Sequence, residues 1–324
     1  VYQKMDNDTK ENYRNKIKEI SKKTKISEIY IAKKILQLAK EKETEGKKAH
    51  IGYYIIDKGS NKIYQELQYK VPKQLNSQTK QKLYIAVNVV FSILLSILIS
   101  SILNVRIQNI WVFMINVLIF LIPSSEFVIQ IIQYILSKIV KPKPIPKIDF
   151  SKGIDEENSC MVVIPTILKN KEKVKELIHK LEVYYIANQS ENLYFTLLGD
   201  CSESSMKEEK TDNEVIETGT KLAEELNKKY TNQKPFPIFH FIYRKREWNE
   251  KENCYLGWER KRGMLTQFNE YLLGNEENQF RVNTIESYKD CIPKIKYVIT
   301  LDADTDLILN SAFELVGSKA HILN

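Results

Sequence analysis

Between Lys82 and Arg106 the chain carries no charged residue, and residues 83–103 read LYIAVNVVFSILLSILISSIL. A run this long and apolar suffices to cross the hydrocarbon core of a bilayer as one helix. A second uncharged run, residues 107–125, holds WVFMI and VLIFLI ahead of Pro123. Together they predict a hairpin of two spans with a very short turn around Asn104 to Asn109; a buried core helix is the alternative for each. Lys70, Lys73, Lys80 and Lys82 precede the first span, and Lys138, Lys141, Lys143 and Lys147 follow the second, against Arg106 alone in the turn. By the positive-inside rule both flanks are cytoplasmic.

The hairpin divides everything else. Upstream, apolar positions such as Ile26, Ile29, Tyr30 and Leu36 recur at helical spacing among charges, which predicts an amphipathic helical region. Residues 52–60 (GYYIIDKGS) read as a short strand and turn. After Pro123, one helical face carries Phe127, Val128, Ile131, Ile135 and Ile139, and another Gln130, Gln133 and Ser137. That stripe fits either an interfacial helix or a continuation of the span past a proline kink. Residues 141–147 (KPKPIPK) form a stiff, extended spacer. The expected domains are an α-rich cytoplasmic region over 1–82, the hairpin with its amphipathic helix over 83–140, a Pro/Lys linker over 141–150 and a last domain over 151–324.

In that last domain, strand-like and helix-like patterns alternate. CMVVIP (160–165), LYFTLLG (193–199), PIFHFIY (237–243) and YVITL (297–301) read as strands, with helices predicted over 170–188, 212–230 and 257–273. Repeated β-α units imply an α/β fold, a mainly parallel sheet flanked by helices. The net charge of +8 does not signal nucleic acid, because the lysines are dispersed among glutamates and no arginine-rich arm or finger is visible. Cys160, Cys201, Cys254 and Cys291 form no C-x-x-C and read as reduced thiols, and four isolated histidines make a zinc site improbable.

Two of the strands run into carboxylates: the second ends at Asp200, and the fourth enters Asp302-Ala303-Asp304-Thr305-Asp306. Open α/β sheets bind ligands at the carboxyl ends of their strands. Asp302 and Asp304 there can supply oxygen ligands to Mg²⁺ or Mn²⁺ on a diphosphate, and Asp200 can accept hydrogen bonds from a base or ribose. A solvated turn is the alternative for the pair, and a turn or cap aspartate for Asp200. Neither phosphate-cradling glycine motif occurs, so phosphate charge would have to be met by a metal and by cations. Lys261 and Arg262, at the start of a helix, can supply these; a solvated helix face is the alternative. The outline is that of a nucleotide-sugar site.

MVVIPT (161–166), LLGD (197–200), GWERKRG (257–263) and YVITLDADT (297–305) together resemble the glycosyltransferase part of cyclic β-1,2-glucan synthases. KISEI (25–29), HIGYYIID (50–57) and KPIPKIDF (143–150) resemble the segments those proteins carry before and after their membrane spans, so nearly the whole chain is covered. The resemblance implies a GT-A-like domain, here its donor-binding half, that uses UDP-glucose and a divalent metal, Mg²⁺ or Mn²⁺, to build β-1,2-linked glucan by inversion at the bacterial inner membrane. It assigns Asp200 to the uridine, Lys261 to the phosphates or their surroundings, and Asp302 and Asp304 to nucleotide and metal. Asp306 falls outside the motif and reads as a capping or solvent aspartate. The general base and the wall for the glucan acceptor are expected beyond Asn324, and the chain is expected to be inactive alone. Two other readings stand beside this one. A related processive membrane synthase would show a downstream Q-x-x-R-W motif, and a non-catalytic membrane scaffold would not bind donor.

Overall fold

The computed structural model describes residues 2–70, 76–104, 109–140, 142–230, 235–275 and 280–324; Lys73, Arg106, Lys141 and the turn at 105–108 lie outside them. The chain forms two compact units, one drawn from residues up to Lys22, Ile26–Asp57 and Ile145–Asn324, the other from Lys23–Lys25 and Lys58–Pro144.

The N-terminal region is helical, as its periodicity predicts: α1 (Asn7–Thr24), α2 (Glu28–Lys40) and α3 (Ile51–Ile55). Ser27 caps α2 by accepting the Tyr30 N–H; the buried face of α2 is Ile31, Ile35 and Ala39, packed with Tyr13 and Ile20 of α1, whereas Ile29, Tyr30 and Leu36 of the expected apolar set are exposed. The expected strand over 52–57 is overturned. His50 Nδ1 accepts the Gly52 N–H at 3.1 Å and starts α3, and α4 (Ser60–Glu66) follows. Burial of Tyr54 and Ile55 overrides the strand preference of so short an aromatic and β-branched run.

In the second unit, α5 (Ser77–Asn104) and α6 (Ile110–Ile139) are both long and apolar enough to cross a membrane. The stripe after Pro123 continues the second helix, whose 30 residues form one element. Asn88, Ser92, Ser96 and Ser100 recur every fourth residue of α5 and are all buried, while Leu83, Val90, Phe91 and Leu98 are exposed. The Ser96 hydroxyl donates across the hairpin to the Val117 carbonyl at 2.6 Å. Small residues at this spacing let two helices approach closely where no water drives them together.

The α/β part is a five-stranded sheet. β1 (Cys160–Ile167) is central, β2 (Leu193–Asp200) and β3 (Phe239–Arg244) extend one side, and a hairpin of β4 (Glu247–Asn249) and β5 (Cys254–Leu256) stands apart. With β6 (Phe280–Asn283) and β7 (Tyr297–Thr300) the order is β6-β3-β2-β1-β7, parallel except for β6. Cys160, Val162 and Ile164 of β1 join one core with Phe195 and Leu197, whereas Met161 and Val163 join the other with Tyr194 and Leu198. Strands buried on both faces read as continuous apolar runs, which is why the sequence exposes them. Helices α7 (Lys171–Ala187), α8 (Lys210–Lys229) and α10 (Ser311–Ala320) contribute to the first core, and α9 (Arg260–Leu272) to the second. The chain's start is stitched onto this body. The Asp6 N–H donates to the Lys147 carbonyl (3.2 Å), Asp149 N–H to Lys4 (2.8 Å) and Ile148 N–H to Gly317 in α10 (3.0 Å).

Candidate functional site at the carboxyl edge of the sheet

β2 and β7 are the two parallel neighbours of β1, so Asp200 and Asp302 emerge on the same edge, two strand spacings or about 10 Å apart across the sheet. Their surroundings differ. Asp200 is fully buried, whereas Asp302 and Asp304 are exposed.

Asp200 pairs with Arg244, the last residue of β3: Nη1 lies 3.2 Å from Oδ2, and both side chains are about 1% exposed. The Asp200 Oδ1 accepts the Cys201 N–H at 3.0 Å. Arg244 spends its other donors on Gln267 Oε1 (2.7 Å), the Arg260 carbonyl (3.1 Å) and the Trp258 carbonyl (2.7 Å). Burial pushes the Asp200 carboxyl above its usual range, and the Arg244 charge works against that push. Ions taken from water need such dense bonding to persist. What the pair holds is the loop between β5 and α9. Glu259 and Arg260 adopt left-handed backbone (φ 47° and 51°), a costly conformation kept here by the Arg244 bonds to the carbonyls around it. The glycines of GWERKRG are steric necessities: a Cβ on Gly257 would lie 2.1 Å from Asp200 Oδ1, and one on Gly263 2.0 Å from the Trp258 carbonyl.

The fixed loop delivers the start of α9 to the edge. Lys261 Nζ forms an ion pair with Asp302, which brings together two of the predicted site residues. Both are largely exposed, so the pair contributes at most about 1 kcal/mol of stability. Arg262 goes elsewhere: its guanidinium pairs with Glu259 and is mostly exposed. Arg260 pairs with Glu203.

The Asp-Ala-Asp segment is a turn closed by the Thr305 N–H on the Asp302 carbonyl at 2.9 Å. Three side chains four residues apart hold it, two on α7 and one on the residue that caps its carboxyl end. Lys180 donates to the Ala303 carbonyl and pairs with Asp306, each at 2.9 Å; the Tyr184 hydroxyl donates to the Thr305 carbonyl. Asn188 Nδ2 donates to the Ile308 carbonyl at 3.2 Å, and its Oδ1 caps α10 by accepting the Ala312 N–H at 3.0 Å. The bond from Lys180 holds the Asp306 carboxyl below its usual range, so Asp306 is an exposed anchor of the turn. None of Lys180, Tyr184, Asn188 and Arg244 was singled out for the site from the sequence. Its neighbour Arg246 is buried too, on Asp212, which also accepts from the Tyr243 hydroxyl (2.8 Å). Burial alone would raise Asp212, but these bonds hold it below the ordinary carboxylate range.

Among the described residues no group of three or more His, Cys, Asp and Glu side chains is arranged to hold a metal unaided. Asp302 and Asp304 offer exposed carboxylates only. That donor set fits a Mg²⁺-like ion, which takes one or two protein carboxylates and completes its octahedron with phosphate oxygens and water. The four cysteines are free, and burial pushes the thiols of Cys160 and Cys201 up to about 12, which keeps them protonated.

A mostly parallel sheet flanked by helices makes this an α/β domain, and the carboxylates and cations at its carboxyl edge stand where such sheets bind ligands. No family model matches the chain. The cyclic β-(1,2)-glucan synthase NdvB of Rhizobium meliloti (strain 1021) is 32% identical to it over 212 residues, 65% of this chain, which bears out the resemblance read from the motifs. The matched region spans 7% of that relative's length.

Proposed function

We propose that this chain carries the donor-binding part of a membrane glycosyltransferase of GT-A type, one that transfers glucose from UDP-glucose to a growing β-1,2-glucan. The observation that carries this reading is the Lys261–Asp302 ion pair, which joins the helix start of GWERKRG to the Asp-Ala-Asp turn. Asp302 and Asp304 would hold Mg²⁺ or Mn²⁺, and the bound ion would neutralise the diphosphate as UDP departs. Lys261 would reach the same oxygens as a point charge, while Arg262, whose charge is met by Glu259, stands beside it without a part in donor binding. Asp200, buried on Arg244 and Cys201, would serve this site from beneath, as the residue that fixes Arg244 and through it the loop ahead of α9. A β-linkage made from an α-linked donor requires attack by the acceptor hydroxyl on the face opposite UDP, assisted by a general base. The lysine flanks of α5 and α6 support, by the positive-inside rule, an α/β domain on the cytoplasmic side of a bacterial inner membrane, the side on which it would meet UDP-glucose.

The test is equilibrium binding of UDP-glucose and of ADP-glucose to the full chain in lipid nanodiscs with Mn²⁺ present. The reading expects UDP-glucose to be preferred and Lys261→Met to weaken it about tenfold, the worth of one charge-assisted contact. Equal affinity for the two donors, or none for either, would count against it.

A further inference from the structure

The outward face of α2 mixes large apolar side chains with lysines. Ile29, Lys33, Leu36 and Lys40 recur at intervals of four, three and four residues and so share one stripe, turned away from the buried Ile31, Ile35 and Ala39. Ile29 is 71% exposed, Tyr30 beside it 55% and Leu36 50%, so three large side chains of one short helix stand in water. Further lysines precede them in sequence: Lys22 and Lys23 in the last turn of α1, and Lys25 in the turn before α2. These three, like Lys33 and Lys40, are exposed and form no ion pair among the described residues. Between Lys22 and Lys40 the only carboxylate in the sequence is Glu28.

Apolar side chains interleaved with uncompensated lysines match the chemistry of a bilayer surface. Aliphatic groups enter the boundary between headgroups and acyl chains, and a tyrosine ring sits at headgroup depth. Lysine stems lie along the apolar layer while their charges stay among the lipid phosphates. The excess of positive charge selects an anionic surface over a neutral one. We propose that this stripe of α2, with Lys22, Lys23 and Lys25, docks on the anionic lipid surface of the membrane that α5 and α6 cross. Those two helices, long and apolar enough to span a bilayer, belong to the same chain, so a contact too weak to hold a free protein suffices here. The segment ahead of α1 is hydrogen-bonded to Lys147 and Asp149 ahead of β1, so the docked helix fixes how the α/β domain stands on the membrane. The proposal does not depend on what the sheet edge binds.

The test uses the full chain in phosphatidylcholine nanodiscs, with and without phosphatidylglycerol, doped with a phospholipid that carries a diazirine near its headgroup; peptide mapping of the photolabel is the readout. In the anionic discs, label is expected on peptides covering residues 28–40, above the level on the exposed surface of α8. It should exceed that in neutral discs by at least about fivefold, the worth of one lysine at an anionic surface, and high salt should remove the difference. Lys22→Gln, Lys23→Gln and Lys25→Gln together should remove most of the preference for anionic discs. Ile29→Ser with Leu36→Ser should remove most of the label on α2, and both sets should leave that of α5 and α6 unchanged. All of these side chains are exposed, so the fold tolerates the changes. Label on α2 no higher than on α8, or equal in neutral and anionic discs, overturns the proposal. Amide protection of α2 that arises only in discs holding two chains assigns the face to a second copy and overturns it as well.

Discussion

Arg244→Met removes the guanidinium that holds the site loop while keeping most of the side chain's bulk. The change leaves the Asp200 carboxylate buried without its partner, and strips the carbonyls of Trp258 and Arg260 and the Gln267 amide of a donor. Breaking a buried pair from one side costs about 3–5 kcal/mol. At about 2–4 °C per kcal/mol for a domain of this size, a loss of about 4 kcal/mol lowers the melting temperature by about 8–16 °C. Asp200→Asn alone should lose a comparable amount, since it leaves Arg244 charged and buried. The double variant removes both charges and should recover at least about 2 kcal/mol relative to the sum of the single losses. Thermal unfolding of the four proteins in one detergent, followed by tryptophan fluorescence, measures all three terms. Strict additivity, or an Arg244→Met variant melting within about 2 °C of the parent, refutes the claim that this pair holds the loop.

Gly257→Ala sets a methyl group against Asp200 and Arg244, and should destabilise the domain by about 1–3 kcal/mol, seen as a lower urea midpoint at unchanged m-value. Asn188→Ala deletes the external cap of α10 and the bond to Ile308, and should cost about 2 kcal/mol, with faster amide exchange at Ala312 as the local sign. Burial lowers His50 and His321 from an ordinary 6.5 to about 4. The unfolded chain therefore takes up protons first as pH falls, so their contribution is complete above about pH 6.5 and is lost progressively towards pH 4. Exchange of the Gly52 and Leu323 amides, which donate to these rings, should accelerate over that window once intrinsic rates are corrected; constant protection would contradict the assignment.

The sequence made β1, β2 and β3 legible because each is buried on both faces and so reads as an unbroken apolar run, whereas β7, half-buried at the sheet edge, was legible from its β-branched residues ahead of the aspartates. Their parallel direction followed from β-α alternation, which put Asp200 and Asp302 at one edge of the sheet. The short elements escaped: β4 and β5 have three residues each, and β6 has four, too few to establish a period. The site's support escaped for a different reason. Arg244 and Arg246 carry charges, and charge predicts exposure until the partners, 44 and 34 residues away in sequence, are known. Lys180 and Tyr184 of α7, with Asn188 at its end, reach a turn more than a hundred residues downstream, and no local pattern reports such a contact.

The central claim is that the Asp-Ala-Asp turn holds a metal-bound sugar nucleotide, and metal-dependent donor binding tests it most directly. UDP-glucose should bind the full chain in nanodiscs with Mn²⁺ and lose most of that affinity in EDTA. Asp302→Asn with Asp304→Asn should abolish the metal-dependent part, whereas Asp306→Asn, which alters an anchor of the turn and no proposed ligand, should retain it. Binding that ignores both EDTA and the paired substitution contradicts the account.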